Sequence, residues 1–373
     1  MTTVMSPHCE VERVEDVAGL RGLRPEWDEA ALANGAEPWL TYSWVEAAAT
    51  AYSKNHPLRV ITVRKRGKLS AIAPLVLKPS EQTLHPLRID FLGGEELKEP
   101  NGFVALDPMS LDVLVDNVIS EPRYPIRLSR VPNDRDVMGT IIVKFKKTGW
   151  ITRAMRMPYP YLNLEGYTTR RSLSEDLRRA RRKAERLGEL RLEIAAPRGW
   201  DELQRQLQRA FGIEASGWKG RNGTAILCNS SRREFFERYA QSALQNGTFR
   251  LFFLMVGDRP LAVQHGIEFR GAYWLLNIGY DEEYREFSPG NLLLSETVEF
   301  SLRNGLTRYN FLGKEEPWIR RWTEEVRDCL VLAAYRPNSY GFKAMLSDVL
   351  YMMQKKKKRQ QAELSKRQRG AEP

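Results

Sequence analysis

Apolar positions in the second half of the chain sort by period. Leu173, Leu177, Ala180, Ala184 and Leu187 lie at offsets of 4, 7, 11 and 14, which is one stripe of a helix over 172–187 that Gly188 ends. Alternation predicts a strand over 190–195, and Trp200, Leu203, Leu207, Ala210 and Phe211 predict a second helix over 200–211. Ser231 and Glu234 have the spacing of a capping box opening a helix that runs to Asn246 and Gly247. Three apolar runs follow, over 249–256, 261–269 and 272–279. The turns Gly257-Asp258 and Arg270-Gly271 between them predict an antiparallel meander. Ser288-Pro289-Gly290-Asn291 opens a helix reaching Asn304, followed by strands over 307–312 and 326–335.

The first half is less regular. Helices are predicted over 27–34, 44–52 and 111–119, and a hairpin joins 58–63 to 69–77 around Arg66-Gly67-Lys68. Further strands are expected over 89–92, 103–106 and 126–131. The stretch 137–148 suits helix or strand, and 155–164, broken by two prolines, reads as an exposed crossing segment. The resulting α+β order excludes a Rossmann sheet and a TIM barrel, and no GxGxxG or P-loop string occurs.

A chain of 373 residues, 42% hydrophobic and 28% charged, suits two folded domains. No apolar run approaches the roughly 20 residues of a membrane span, and the first 16 residues do not read as a secretory signal. Cys9, Cys228 and Cys329 are distant from one another, and His8, His56, His85 and His265 lack ligand spacing. Neither a disulfide frame nor a metal site is expected, and a cytoplasmic location is the default. The net charge of +11 is uneven. Lys355 to Pro373 holds eight basic residues and two acids, leaving +5 on the rest.

The strand ending at Gly279 runs through Tyr280-Asp281 into Ser288-Pro289-Gly290-Asn291, where a helix start offers free N–H groups and positive potential to an anion. Taken with Gly217-Trp218-Lys219-Gly220-Arg221-Asn222-Gly223-Thr224-Ala225, with Asn310-Phe311-Leu312-Gly313 and with the basic helix before them, this unit resembles the core of the GNAT acyltransferases, in their CelD-like, FemAB-related branch. The resemblance spans 164–335 and touches the first half only through 39–44 and 71–77. It implies an α+β fold, a GNAT-like mixed, mostly antiparallel sheet flanked by helices, in two GNAT-like halves. Those halves would be 1–164 and 165–336, with an amphipathic helix and basic tail over 337–373.

The resemblance also implies acyl transfer from a thioester, usually acetyl-CoA, to an amine or hydroxyl, in a setting of surface or exopolysaccharide biosynthesis. Ser288, Pro289, Gly290, Asn291 and Leu292 would then take the diphosphate. Pro289 has no N–H, so Gly290, Asn291 and Leu292 would donate. The turn has one glycine and no arginine, a departure from the Arg/Gln-rich GNAT loop. Glu214, His265 and Asp281 are candidate bases, and Tyr280, Tyr284 and Tyr309 are candidate acids or wall residues. Trp218, Lys219 and Arg221, in a glycine-rich loop able to fold over a ligand, and Lys314 and Trp318 are candidate substrate contacts. The acceptor would be a small molecule or a glycan. A Fem-type transferase using aminoacyl-tRNA is the alternative, favoured by the basic cluster of Arg170, Arg171, Arg178, Arg179, Arg181, Arg182, Lys183 and Arg186 on and before one helix. A non-catalytic binding module of the same fold is a third reading. Phe342, Met345, Leu346, Val349, Leu350 and Met353 lie at helical offsets ahead of Lys355-Lys356-Lys357-Lys358-Arg359, so this stretch either docks on the protein or lies on an anionic membrane surface, peripheral at the inner face.

Overall fold

The computed structural model describes residues 4–6, 9–54, 56–79, 87–120, 124–134 and 136–369. They form two sheets flanked by helices. In the first, the strands lie in the order Val4–Ser6, Cys9–Val14, Leu58–Lys65, Lys68–Pro79, Leu87–Phe91, Ile126–Pro132, Cys329–Tyr335, Ile151–Arg156. In the second they run Leu190–Ile194, Phe249–Val256, Arg259–Phe269, Ala272–Tyr280, Arg308–Asn310, Tyr159–Asn163, Val326–Arg327. Among the described residues each sheet has one parallel pair. Ile89 faces Ile126 in the first, across the helix Pro108–Ile119, and Ala272 faces Arg308 in the second, across the helix Pro289–Arg303. All other pairs are antiparallel, so the expected mixed, mostly antiparallel α+β fold is what forms.

Strand pairing crosses residue 164 in both directions. Tyr159–Asn163 completes the second sheet against Arg308–Asn310, and Cys329–Tyr335 sits in the first between Ile126–Pro132 and Ile151–Arg156. A division at 164 and 336 therefore does not separate the sheets. The exposed crossing segment expected over 155–164 is corrected to two strands, with Tyr159 and Leu162 buried. Pro160 is tolerated because its carbonyl is what the sheet uses, accepting from the Phe311 amide at 3.1 Å. The single strand expected over 326–335 splits at Asp328, each piece joining a different sheet.

Other elements shift locally. The segment left open over 137–148 is the helix Val137–Lys147, whose Met138, Ile141 and Phe145 are buried. The helix Ser230–Gln245 is capped by Asn229, which accepts from the Arg232 amide, rather than by Ser231. Glu234 is drawn instead to Lys54 and Arg238. The two halves share one apolar core, in which Trp44 meets Phe235 and Tyr239 at 5.0 Å and Trp39 meets Trp274 at 5.3 Å.

Candidate functional site

The parallel pair in the second sheet is short. Ala272, Tyr273 and Trp274 face Arg308, Tyr309 and Asn310, and beyond them the strands part. A bulge places two residues, Leu275 and Leu276, where the neighbouring strand has one, which raises the local twist. Between 275–280 and 311–313 lies a cavity of about 630 Å³. Strand edges carry unpaired backbone groups, so its floor is polar without needing many side chains.

The wall behind that strand is an ion pair. Glu214 is 1% exposed at the end of the helix Trp200–Ser216. It accepts from the Lys219 ammonium at 3.0 Å and from the Ile226 amide at 2.9 Å. Lys219 spends its other N–H groups on Asn277 Oδ1 at 2.6 Å and the Ile278 carbonyl at 2.8 Å, and burial pulls its pKa down against the opposing pull of Glu214. Glu214 and Lys219 therefore brace the strand. A Cβ on Gly279 would stand 2.7 Å from the Glu214 Cα, and one on Gly220 would stand 1.8 Å from the Ala215 carbonyl oxygen. These glycines permit tight packing, which corrects the expected flexible loop. Trp218–Arg221 is a short helix.

The turn that opens Pro289–Arg303 lines the cavity with Ser288, Pro289, Gly290 and Asn291. Ser288 adopts φ 50° and ψ 48° and makes no side-chain cap. The Asn291 and Leu292 amides both donate to the Ser288 carbonyl, at 3.0 and 3.1 Å. Three free donors were expected; Gly290 alone keeps its N–H for a ligand, and Leu292 is buried in the core. A Cβ on Gly290 would touch the Tyr280 ring at 3.4 Å, so a larger side chain there fills the cavity. The turn itself has no arginine, but one lies just upstream. Arg285 lines the cavity and has no carboxylate partner among the described residues.

Trp218, Lys314 and Trp318 also line the cavity. Besides Leu292, five sequence candidates do not. His265 is 3% exposed between Phe236 and Phe249, neither ring nitrogen has a partner, and burial lowers its pKa to about 4. Asp281 caps the turn Glu282–Phe287 by accepting from the Glu283 amide. Tyr284 accepts from Arg259 at 2.9 Å, and Arg221 is exposed and paired with Glu282. Tyr309 is buried in a hydrogen-bonded knot with Gln264 and Thr297. His8 and His85 lie outside the described residues.

Sequence reading missed Glu99, which the first half contributes to the cavity. Its side chain is 15% exposed, lies 3.7 Å from Arg130 and accepts from the Gly313 amide at 3.4 Å. Burial raises its pKa above the usual carboxylate value, more than Arg130 and that amide lower it. Arg130 is 1% exposed and donates to the carbonyls of Lys98 at 2.6 Å, Met157, Pro158 and Gly313, clamping the loop that bears Glu99. Among the described residues six non-glycines have left-handed backbone. Arg66 and Arg270 sit in hairpin turns, while Lys98, Arg130, Ser288 and Leu312 line this cavity or hold its wall. Such strain concentrates where a site demands it. Arg232, with its Nε buried and unpartnered, adds a further cation to the lining. No motif announces Glu99 or Arg232, because their neighbours come from distant segments.

Residues 171–320 match the model of the Acetyltransferase (GNAT) domain. This stretch is therefore similar to GNAT acetyltransferase domains. No curated protein matches the chain. Among solved structures, L-PGS from Bacillus licheniformis is similar at TM-score 0.55 and 11% identity, covering 91% of this chain and 98% of that one. FemX is similar at TM-score 0.55 and 12% identity, over 84% and 96% of the two chains. The C-terminal domain of a putative lysylphosphatidylglycerol synthetase from Agrobacterium fabrum gives 0.52 and 10%, over 82% and 91%. These likenesses extend the fold over both halves. Among the described residues no helix is long and apolar enough to cross a membrane, and no group of side chains suits a metal ion.

Proposed function

We propose that the cavity transfers an acetyl group from acetyl-CoA to an amine or hydroxyl of a small molecule or glycan. The observation that carries this reading is the opening between the parted strands. It has a helix start with one free amide on one side and a buried carboxyl from the other half of the chain facing it. The Gly290 amide, Arg285 and the helix dipole hold the donor's diphosphate. The thioester lies along the free strand edge, whose backbone groups support the oxyanion. Glu99 takes the acceptor's proton as nitrogen or oxygen bonds to the carbonyl carbon; the C–S bond then breaks, and Tyr280, against Gly290, returns a proton to the thiolate.

Titration calorimetry with acetyl-CoA tests the donor site. Binding in the micromolar range is expected, and Gly290→Trp should abolish it while the protein stays folded. No binding by the folded native protein sinks the acetyl-CoA reading. A second reading, aminoacyl transfer from aminoacyl-tRNA, is favoured by one observation. The Arg171–Ala184 helix packs on the Pro289–Arg303 helix and on Glu282–Phe287 beside the cavity, with Arg178, Arg182 and Lys183 exposed. The likeness to FemX and L-PGS is compatible with it.

A further inference from the structure

The helix Ser339–Arg369 has two unlike faces. One is docked on the first sheet, where Ala344 and Ser347 are fully buried and Asp348 receives Arg88 at 2.7 Å and the Tyr335 hydroxyl at 2.5 Å. On the other, Phe342, Leu346, Leu350 and Met353 are 48, 56, 42 and 57% exposed. Their spacings of 4, 4 and 3 residues put them on one stripe. Beside the stripe, an apolar crevice of about 380 Å³ runs between this helix and the edge strand Ile151–Arg156. Met345, Val349, Met352 and Met353 line it, together with Arg153 and Lys356. The helix then continues into Lys355–Lys358, all exposed.

We propose that this face binds the surface of an anionic phospholipid bilayer, with the stripe among the upper acyl chains and the lysines on the lipid phosphates. Three features select a bilayer. Scattered exposed apolar residues are ordinary, but four in register on one helix are not. The flexible thioethers of the crevice suit acyl chains of no fixed shape. The lysine run directly follows the apolar stripe, which is the arrangement that combines interfacial burial with electrostatic attraction. The docked face stays on the protein, so the helix lies flat on the bilayer and carries the whole molecule to it. This proposal does not depend on the acyl-transfer reading.

Flotation of the full-length protein with vesicles tests it, using phosphatidylcholine alone and phosphatidylcholine containing phosphatidylglycerol. Binding to the anionic vesicles is expected. It should fall at least about tenfold when Lys355, Lys356, Lys357 and Lys358 are all changed to Ser, at roughly 1 kcal/mol per surface lysine. A similar loss is expected from Leu346→Ser with Leu350→Ser. These side chains are exposed, so circular dichroism should confirm that both variants fold. Equal binding to neutral vesicles, or binding indifferent to both variants, overturns the proposal. So does absence of vesicle binding, or a concentration-dependent dimer that Leu346→Ser with Leu350→Ser dissolves, since the stripe would then belong to a second copy.

Discussion

The two sheets meet the same topological event and resolve it differently. In each, one parallel pair of strands runs together briefly and then parts. In the second sheet the gap is the cavity. In the first it is filled by the chain itself. After Phe91 the backbone turns into the short helix Gly94–Leu97, and a Cβ on Gly94 would stand 3.3 Å from both the Phe91 and Ser129 Cβ atoms, one on each parted strand. Around it lies a buried charged cluster. Asp90, 0% exposed and raised to about 6 by burial, accepts from Ser129, while Lys78 reaches Glu96 at 2.7 Å and Glu95 at 3.8 Å. One parted pair thus offers polar groups to a ligand, and the other consumes them internally. The same architecture, repeated within a chain, can keep one copy for chemistry and use the other as a scaffold.

The contrast can be broken at its most demanding point, Glu99, which the scaffold half lends to the cavity. Glu99→Gln should lower kcat/KM by about 10² to 10⁴ and leave acetyl-CoA binding unchanged. In the native enzyme the basic form of Glu99 is gained as pH rises through its raised pKa, so kcat/KM should climb across a range above 4.5. Unchanged turnover in Glu99→Gln removes the base from this account. Next in size is Asp348→Ala, which leaves Arg88, 2% exposed, without its carboxylate. It should destabilise by about 3–5 kcal/mol on denaturant unfolding, with the cavity's ligand affinity unchanged.

Gly94→Val probes the filled gap as Gly290→Trp probes the open one. Overpacking between Phe91 and Ser129 should destabilise by about 1–3 kcal/mol without touching donor binding. Donor binding lost in Gly94→Val would mean that the two gaps are coupled. The smallest effect is expected at His265. Its neutral form is favoured in the fold, so it withdraws stability as pH falls from 6.5 towards 4. His265→Leu should keep activity and flatten stability across that window. A large loss of turnover would return His265 to the reaction.

Periodicity exposed the helices of the second half because each has one buried face, and the meander strands, buried on both faces, stood out as apolar runs between tight turns. The helix at Pro289 and the meander at 249–280 fall within two residues of their predicted limits. What was hidden depends on partners far away in sequence. Tyr159–Asn163 looked like a proline-broken link, because nothing local reveals that Arg308–Asn310 waits for it. The Gly290 turn was legible as a helix start, but the sharing of the Ser288 carbonyl by two amides is a matter of backbone angles. His265 drew attention by its chemistry, and only packing shows that it is walled in by phenylalanines. Glu99 is one acid among many until Arg130, more than 30 residues on, bends its loop towards the cavity.

The exchanged strands also govern when the molecule can exist at all. As the chain leaves the ribosome, the groove between Ile126–Pro132 and Ile151–Arg156 stays vacant until Cys329–Tyr335 is made, roughly 170 residues later. Until then the nascent first half exposes two unpaired strand edges, which invite mispairing with neighbouring chains. Closing so long a loop is slow, so translation delivers the first half early and withholds its last strand until the second half is nearly complete. Quality control is thereby built into assembly: a chain truncated before residue 329 leaves the first sheet open and recognisably unfinished.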